Sequence, residues 1–178
     1  WKVNEQCRSF NFYFDLRAAK KNLAKNTTPY TPATSLIIGL KESIDILLEE
    51  GLENIFRKQL KYKEMVREAV KAMGLELLVQ DEKYASPAIT AIKVPENIAW
   101  KDLNNLLVNE FNVMLAGGQD ELKGKIFRIG HIGYVHEMDL VVAIAALEMA
   151  LYKLGYPVEL GTGVKACQEV ILKYKEVN

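Results

Sequence analysis

The sequence predicts a mixed α/β chain, a helical first part leading into an α+β small domain. Three observations predict it. Apolar residues recur at three- and four-residue steps from Leu36 to Met73, the period of amphipathic helices. After Gly74, short β-rich runs alternate with helical stretches, the texture of a layered sheet-and-helix unit. Finally, 178 residues with 49% hydrophobic and 26% charged side chains, 5 Pro and 11 Gly describe a globular chain rather than a disordered or fibrous one.

The elements follow in order. Phe10 to Phe14 is aromatic at nearly every position, and Asp15 is a natural N-cap for a helix from Leu16 to about Ala24. Two prolines and three threonines between Asn26 and Pro32 impose an extended loop. From Thr34 a helix carries Leu36, Ile37, Leu40, Ile44, Leu47 and Leu48 until Gly51 interrupts. A second stripe through Tyr62, Val66, Ala69, Val70 and Met73 ends at Gly74 in the C-cap position, so two helices run nearly end to end with a domain boundary near Gly51. Strands are predicted at 75–79, 88–94, 113–115 and 125–130. Trp100 to Phe111 reads as a helix, Gly117-Gly118 as a turn, and Leu140 to Leu154 marks a final long helix.

Charge and motifs exclude several classes. Lys and Arg number 23, Asp and Glu 23, so the basic excess that nucleic acid or an anionic membrane would attract is missing. No stretch reaches the roughly 18 apolar residues of a membrane span. Cys7 and Cys167 stand far apart in helical or aromatic contexts, which suits a reducing, cytoplasmic setting and supplies no activated nucleophile. His131 and His136 lack a metal-ligand spacing, so no metal is expected. Gly161-Thr162-Gly163-Val164-Lys165-Ala166 matches a dinucleotide fingerprint, but no second strand with its acidic residue follows, and a helix start is the better reading. The basic clusters 17–25 and 57–67 read as solvated helix faces. A chain opening on Trp1 reads as a piece of something longer.

Arg128 is the most informative residue. It sits between Phe127 and Ile129 in an apolar run, where an unpaired charge would cost several kcal/mol. Its planar fork suits a carboxylate, so a substrate clamp is one reading; an internal ion pair and an edge-strand head reaching water are the others. The threonine-rich loop at 27–32 offers pre-organised hydroxyls to a phosphate, or is merely a connection.

Several segments in fixed order carry a resemblance: Phe12-Tyr13-Phe14-Asp15-Leu16, Thr28-Pro29-Tyr30-Thr31-Pro32-Ala33, Leu40-Lys41-Glu42-Ser43, Glu49-Glu50-Gly51-Leu52-Glu53, Gly117-Gly118, Gly124 to Gly133 through Phe127-Arg128-Ile129-Gly130-His131, and Pro157-Val158-Glu159-Leu160-Gly161. Together they resemble the C-terminal part of class V, pyridoxal-phosphate-dependent aminotransferases of the alanine–glyoxylate and serine–pyruvate group. Some members of that group carry the label of a soluble hydrogenase subunit. The resemblance spans nearly the whole chain. It implies a homodimer of fold type I, with residues 1–50 as the tail of the large cofactor-binding domain and 51–178 as the small C-terminal domain. It implies transfer of an amino group between serine or alanine and a 2-oxo acid such as glyoxylate or pyruvate. Arg128 falls on the arginine that binds the substrate carboxylate, and Thr31 on the threonine that reaches the neighbouring subunit's cofactor phosphate. Thr28 replaces an aromatic phosphate partner, for which Tyr30 is the nearest substitute. No lysine here matches the Schiff-base lysine, which lies upstream in the family, so this segment alone should neither bind the cofactor tightly nor catalyse. The alternatives are a desulfurase-like class V enzyme, or a non-catalytic α/β carboxylate-binding or dimerisation module. Apolar surface should be left exposed.

Overall fold

The computed structural model describes residues 1–8 and 11–176. The chain divides into two compact units, Trp1–Gly51 and Leu52–Asn178.

The first unit is helical. Its helices are α1 (Lys2–Gln6), α2 (Leu16–Leu23) and α3 (Thr34–Glu50). Phe10 lies outside the described residues. The Asp15 carboxylate accepts the Arg17 N–H at 2.9 Å and so caps α2 as predicted. Tyr30 stacks on Tyr13, ring centroids 5.1 Å apart, and donates its hydroxyl to the Phe12 carbonyl at 3.0 Å. This pair ties the threonine loop to the aromatic segment before α2. On α3, Leu36, Ile37, Leu40, Ile44, Leu47 and Leu48 are all exposed, matching the expected apolar surface.

In the second unit a three-stranded antiparallel sheet, ordered β1-β3-β2, shares one core with four helices. They are α4 (Leu52–Ala72), α5 (Trp100–Phe111), α6 (Glu137–Lys153) and α7 (Thr162–Glu176). The strands are β1 (Ile89–Lys93), β2 (Ala116–Gly117) and β3 (Ile126–Gly130). The core gathers Met65, Val66 and Val70 of α4, Ile144, Leu147 and Leu151 of α6, and Phe127 and Ile129 of β3. Helix α4 stops where glycine permits it. Gly74 takes φ +72°, and the N–H groups of Gly74 and Leu75 reach the Lys71 and Val70 carbonyls at 3.0 and 3.1 Å, closing the last turn.

Two predicted strands are corrected. Residues 75–79 form a single bridge, Leu77 to Ile92, rather than a strand. Arg67 explains this: it donates to the Val79 and Gln80 carbonyls at 3.0 and 3.3 Å and to Glu82 at 2.7 Å, drawing the chain off the sheet edge. Arg67 is thereby buried at 3% exposure, so it leaves the set of solvated basic residues. The strand expected at 113–115 falls instead at β2, because Asn112 ends α5 in a left-handed conformation and the Val113 N–H is spent on the Leu107 carbonyl.

The rejected dinucleotide motif has an internal occupant. Glu148, buried at 2% exposure on α6, accepts the N–H of Gly161 at 3.1 Å and of Gly163 at 2.5 Å, at the start of α7. The carboxylate takes the place an anion would hold at this helix N-terminus. A Cβ on Gly163 would meet Ile144, Met73 and Glu148 at 3.0–3.1 Å, so any larger residue would push these neighbours aside where α7 packs on α6.

Candidate functional site

Antiparallel pairing gives the sheet two unlike faces. Phe127 and Ile129 of β3 point into the core with Ile92 and Thr90 of β1. Arg128 points the other way. Its register partners there are Ala91 on β1 and Ala116 on β2. These partners carry only methyl side chains, and the half-buried Arg128 lies with them on the more open face of the sheet.

Neither alternative left open for Arg128 is seen among the described residues. β3 is the central strand, so Arg128 is not on an edge. Among the described residues it has no ion pair. Its Nε and Nη2 both donate to the Gly117 carbonyl, at 3.1 and 2.9 Å. One carbonyl occupies the side edge of the fork and leaves the Nη1–Nη2 edge, the two-donor pattern that fits a carboxylate. A half-buried guanidinium attracts an anion more strongly than one in bulk water, because the surrounding dielectric is lower.

The Gly117 carbonyl has its own support. Gly117 pairs with Phe127 in β2·β3, and the Trp100 ring stacks on Phe127 with centroids 5.4 Å apart and planes 5° from parallel. A Cβ at Gly117 would lie 2.6 Å from Trp100 Nε1, too close to exist without movement. Gly117-Gly118 therefore does more than turn the chain.

The remaining candidates sort by geometry. Thr31 is exposed, and its hydroxyl has no hydrogen-bond partner among the described residues. The Thr28 hydroxyl donates to the Tyr30 carbonyl at 2.7 Å, spending the proton a phosphate contact would need. Tyr30 is likewise committed to Phe12. Thr28 and Thr31 belong to the first unit and Arg128 to the second.

His131 does not share the open face. It is fully buried, with Nε2 3.1 Å from the Thr90 hydroxyl, and burial pushes its pKa down to about 4, so the ring is neutral near pH 7. Cys167 is buried, and burial, helped by the Glu148 charge, pushes its thiol up to about 12, the opposite of an activated nucleophile. Cys7, expected in a helix or core, is exposed just past α1. No His/Cys/Asp/Glu group among the described residues could hold a metal ion, and no helix of the described residues is long and apolar enough to cross a membrane.

Comparisons with known proteins bear on this geometry. Residues 20–131 match the family model described as aminotransferase class-V. The small subunit of a soluble hydrogenase from Synechococcus sp. (strain PCC 6716) is 41% identical over 172 residues, 96% of this chain and 44% of that protein. Serine–glyoxylate aminotransferase of Arabidopsis thaliana is 38% identical over 93% of this chain and 41% of its own length. Among solved structures, ureidoglycine–glyoxylate aminotransferase from Bacillus subtilis superposes with a TM-score of 0.86 at 27% identity, covering 95% of this chain and 44% of that one. The chain thus spans less than half the length of the curated relatives it matches.

Proposed function

The chain belongs to the class-V aminotransferases, and from that premise we propose that it is part of an enzyme moving an amino group between a small amino acid and a 2-oxo acid. Serine or alanine as donor and glyoxylate or pyruvate as acceptor fit this reading, and the names of the relatives support glyoxylate. On it, residues 1–50 are the tail of the large domain and 51–178 the small domain, in a cytoplasmic homodimer.

Pyridoxal phosphate is the cofactor the family implies, and when bound it supplies an electron sink at the substrate α-carbon. The residues present fit part of that site. Among the described residues, Arg128 offers an unpaired two-donor edge and Thr31 a hydroxyl without a partner. Arg128 would grip the carboxylate of donor and acceptor alike, since both carry one. Its contribution is orientation: the gripped carboxylate limits how the α-carbon can turn. Thr31 would donate to the phosphate bound in the neighbouring subunit.

The observation that carries this reading is Arg128 itself, a half-buried guanidinium on a central strand held, among the described residues, by one carbonyl and no acid. In the full-length protein Arg128→Ala should raise the KM for the amino donor about a hundredfold, the loss of a charge-assisted bidentate contact of ~3 kcal/mol. An unchanged KM would reject the clamp.

A further inference from the structure

We propose that Gly117 and Trp100 are positioning residues for Arg128: the Trp100 ring seats the Gly117 peptide, and the Gly117 carbonyl aims the guanidinium at the substrate carboxylate. The inference rests on the reading of Arg128 as the carboxylate clamp and adds two residues that need not touch substrate.

Three links make the chain. The Gly117 carbonyl accepts from both Nε and Nη2 of Arg128, at 3.1 and 2.9 Å, so it fixes the plane of the guanidinium and leaves one edge outward. Gly117 is held from the core side. Its Cα lies so near the indole that an added Cβ would fall 2.6 Å from Trp100 Nε1 and 3.2 Å from Cε2. Trp100 in turn is immobilised. It is the first residue of α5, whose Leu103 and Leu107 are fully buried, and its ring stacks on Phe127, the register partner of Gly117. The indole therefore bears on one face of the sheet while Arg128 projects from the other. A change on the core face is read out as a change in carboxylate binding on the open face. An arginine side chain has several rotatable bonds, and a clamp gains affinity when they are restrained before substrate arrives.

The test uses the full-length protein, steady-state kinetics with serine and glyoxylate, and direct binding of glycolate, which carries a carboxylate but no amino group. Gly117→Ala should raise the KM for serine and the Kd for glycolate about tenfold, the equivalent of one lost hydrogen bond, with a smaller change in kcat. A purely structural defect would lower kcat through a smaller folded fraction and leave both constants alone. Trp100→Phe removes the atom that blocks a Cβ at 117. The double variant W100F/G117A should therefore bind glycolate within about threefold of W100F. Should Gly117→Ala fail to fold, Trp100→Ala serves instead, and removing the support should raise both constants several-fold. Arg128→Lys is the control. If Arg128→Lys weakens glycolate binding while Gly117→Ala, or Trp100→Ala in its place, leaves it within twofold, the positioning role is wrong and the clamp stands. If Gly117→Ala weakens binding and W100F does not relieve it, the Trp100 link is wrong. If Arg128→Lys changes neither constant, the clamp reading and this inference fall together.

Discussion

At the scale of single residues, burial and hydrogen-bond partners separate groups that look alike in the sequence. Thr28 and Thr31 stand three positions apart, but only Thr31 keeps its hydroxyl proton unclaimed, because Thr28 donates to the Tyr30 carbonyl. Thr31→Ala in the full-length protein should therefore weaken cofactor affinity about tenfold, and Thr28→Ala much less, measured as the dissociation constant for pyridoxal phosphate. Equal losses would reject the distinction. His131 makes a different prediction. Buried and neutral with a pKa near 4, it regains an ordinary value near 6.5 on unfolding, so the unfolded chain binds more protons between those limits. Its contribution to stability is complete above about pH 6.5 and is lost as pH falls towards 4, on the order of 3 kcal/mol. Denaturant unfolding from pH 4.5 to 7.5 should show this slope in the parent protein and a flatter one in His131→Gln. Identical slopes would show that another group titrates. Arg128 was legible in the sequence because a charge in an apolar run demands an explanation. Gly117 and Trp100 were not, since their contact spans 17 positions and exists only once β2 pairs with β3.

Elements were legible where local chemistry decides them. Asp15 before α2, Gly51 after α3 and Gly74 after α4 mark real boundaries, because caps and left-handed glycines act within a few residues. Helix α5 matches its predicted span of Trp100 to Phe111. The misplaced strands at 75–79 and 113–115 share one cause: a strand needs a partner, and Arg67 and Asn112 redirect the chain before pairing extends. Glu148 shows the same limit. A lone acid in the apolar run of α6 was a signal, yet its role as a cap belongs to another helix, α7. Replacing it tests that role. Glu148→Leu would strand the Gly161 and Gly163 N–H groups in the interior, at a cost of about 3 kcal/mol. The denaturant midpoint should fall accordingly, and amide exchange should accelerate first at the start of α7. A global loss with no local change there would count against the cap.

For the whole molecule, the decisive fact is surface without cover. Eight large aliphatic residues of α3 are more than 40% exposed in a chain of zero formal net charge. If residues 1–50 belong to a larger domain, the isolated 178-residue chain should self-associate as its concentration rises, and Leu40→Glu should reduce that association in sedimentation. A monodisperse monomer with an exposed, inert α3 would argue against the domain assignment. The sequence by itself determined the family, the helical periods, the caps and the anomaly of Arg128, because these depend on composition, spacing and contacts between near neighbours. Only the tertiary structure decided which side of the sheet is open, that Glu148 fills the anion position at α7, that His131 is a core residue, and that Trp100 and Gly117 stand behind Arg128. Each of these is a meeting of residues distant along the chain, and such meetings follow from strand register and helix packing rather than from any local preference of the residues involved.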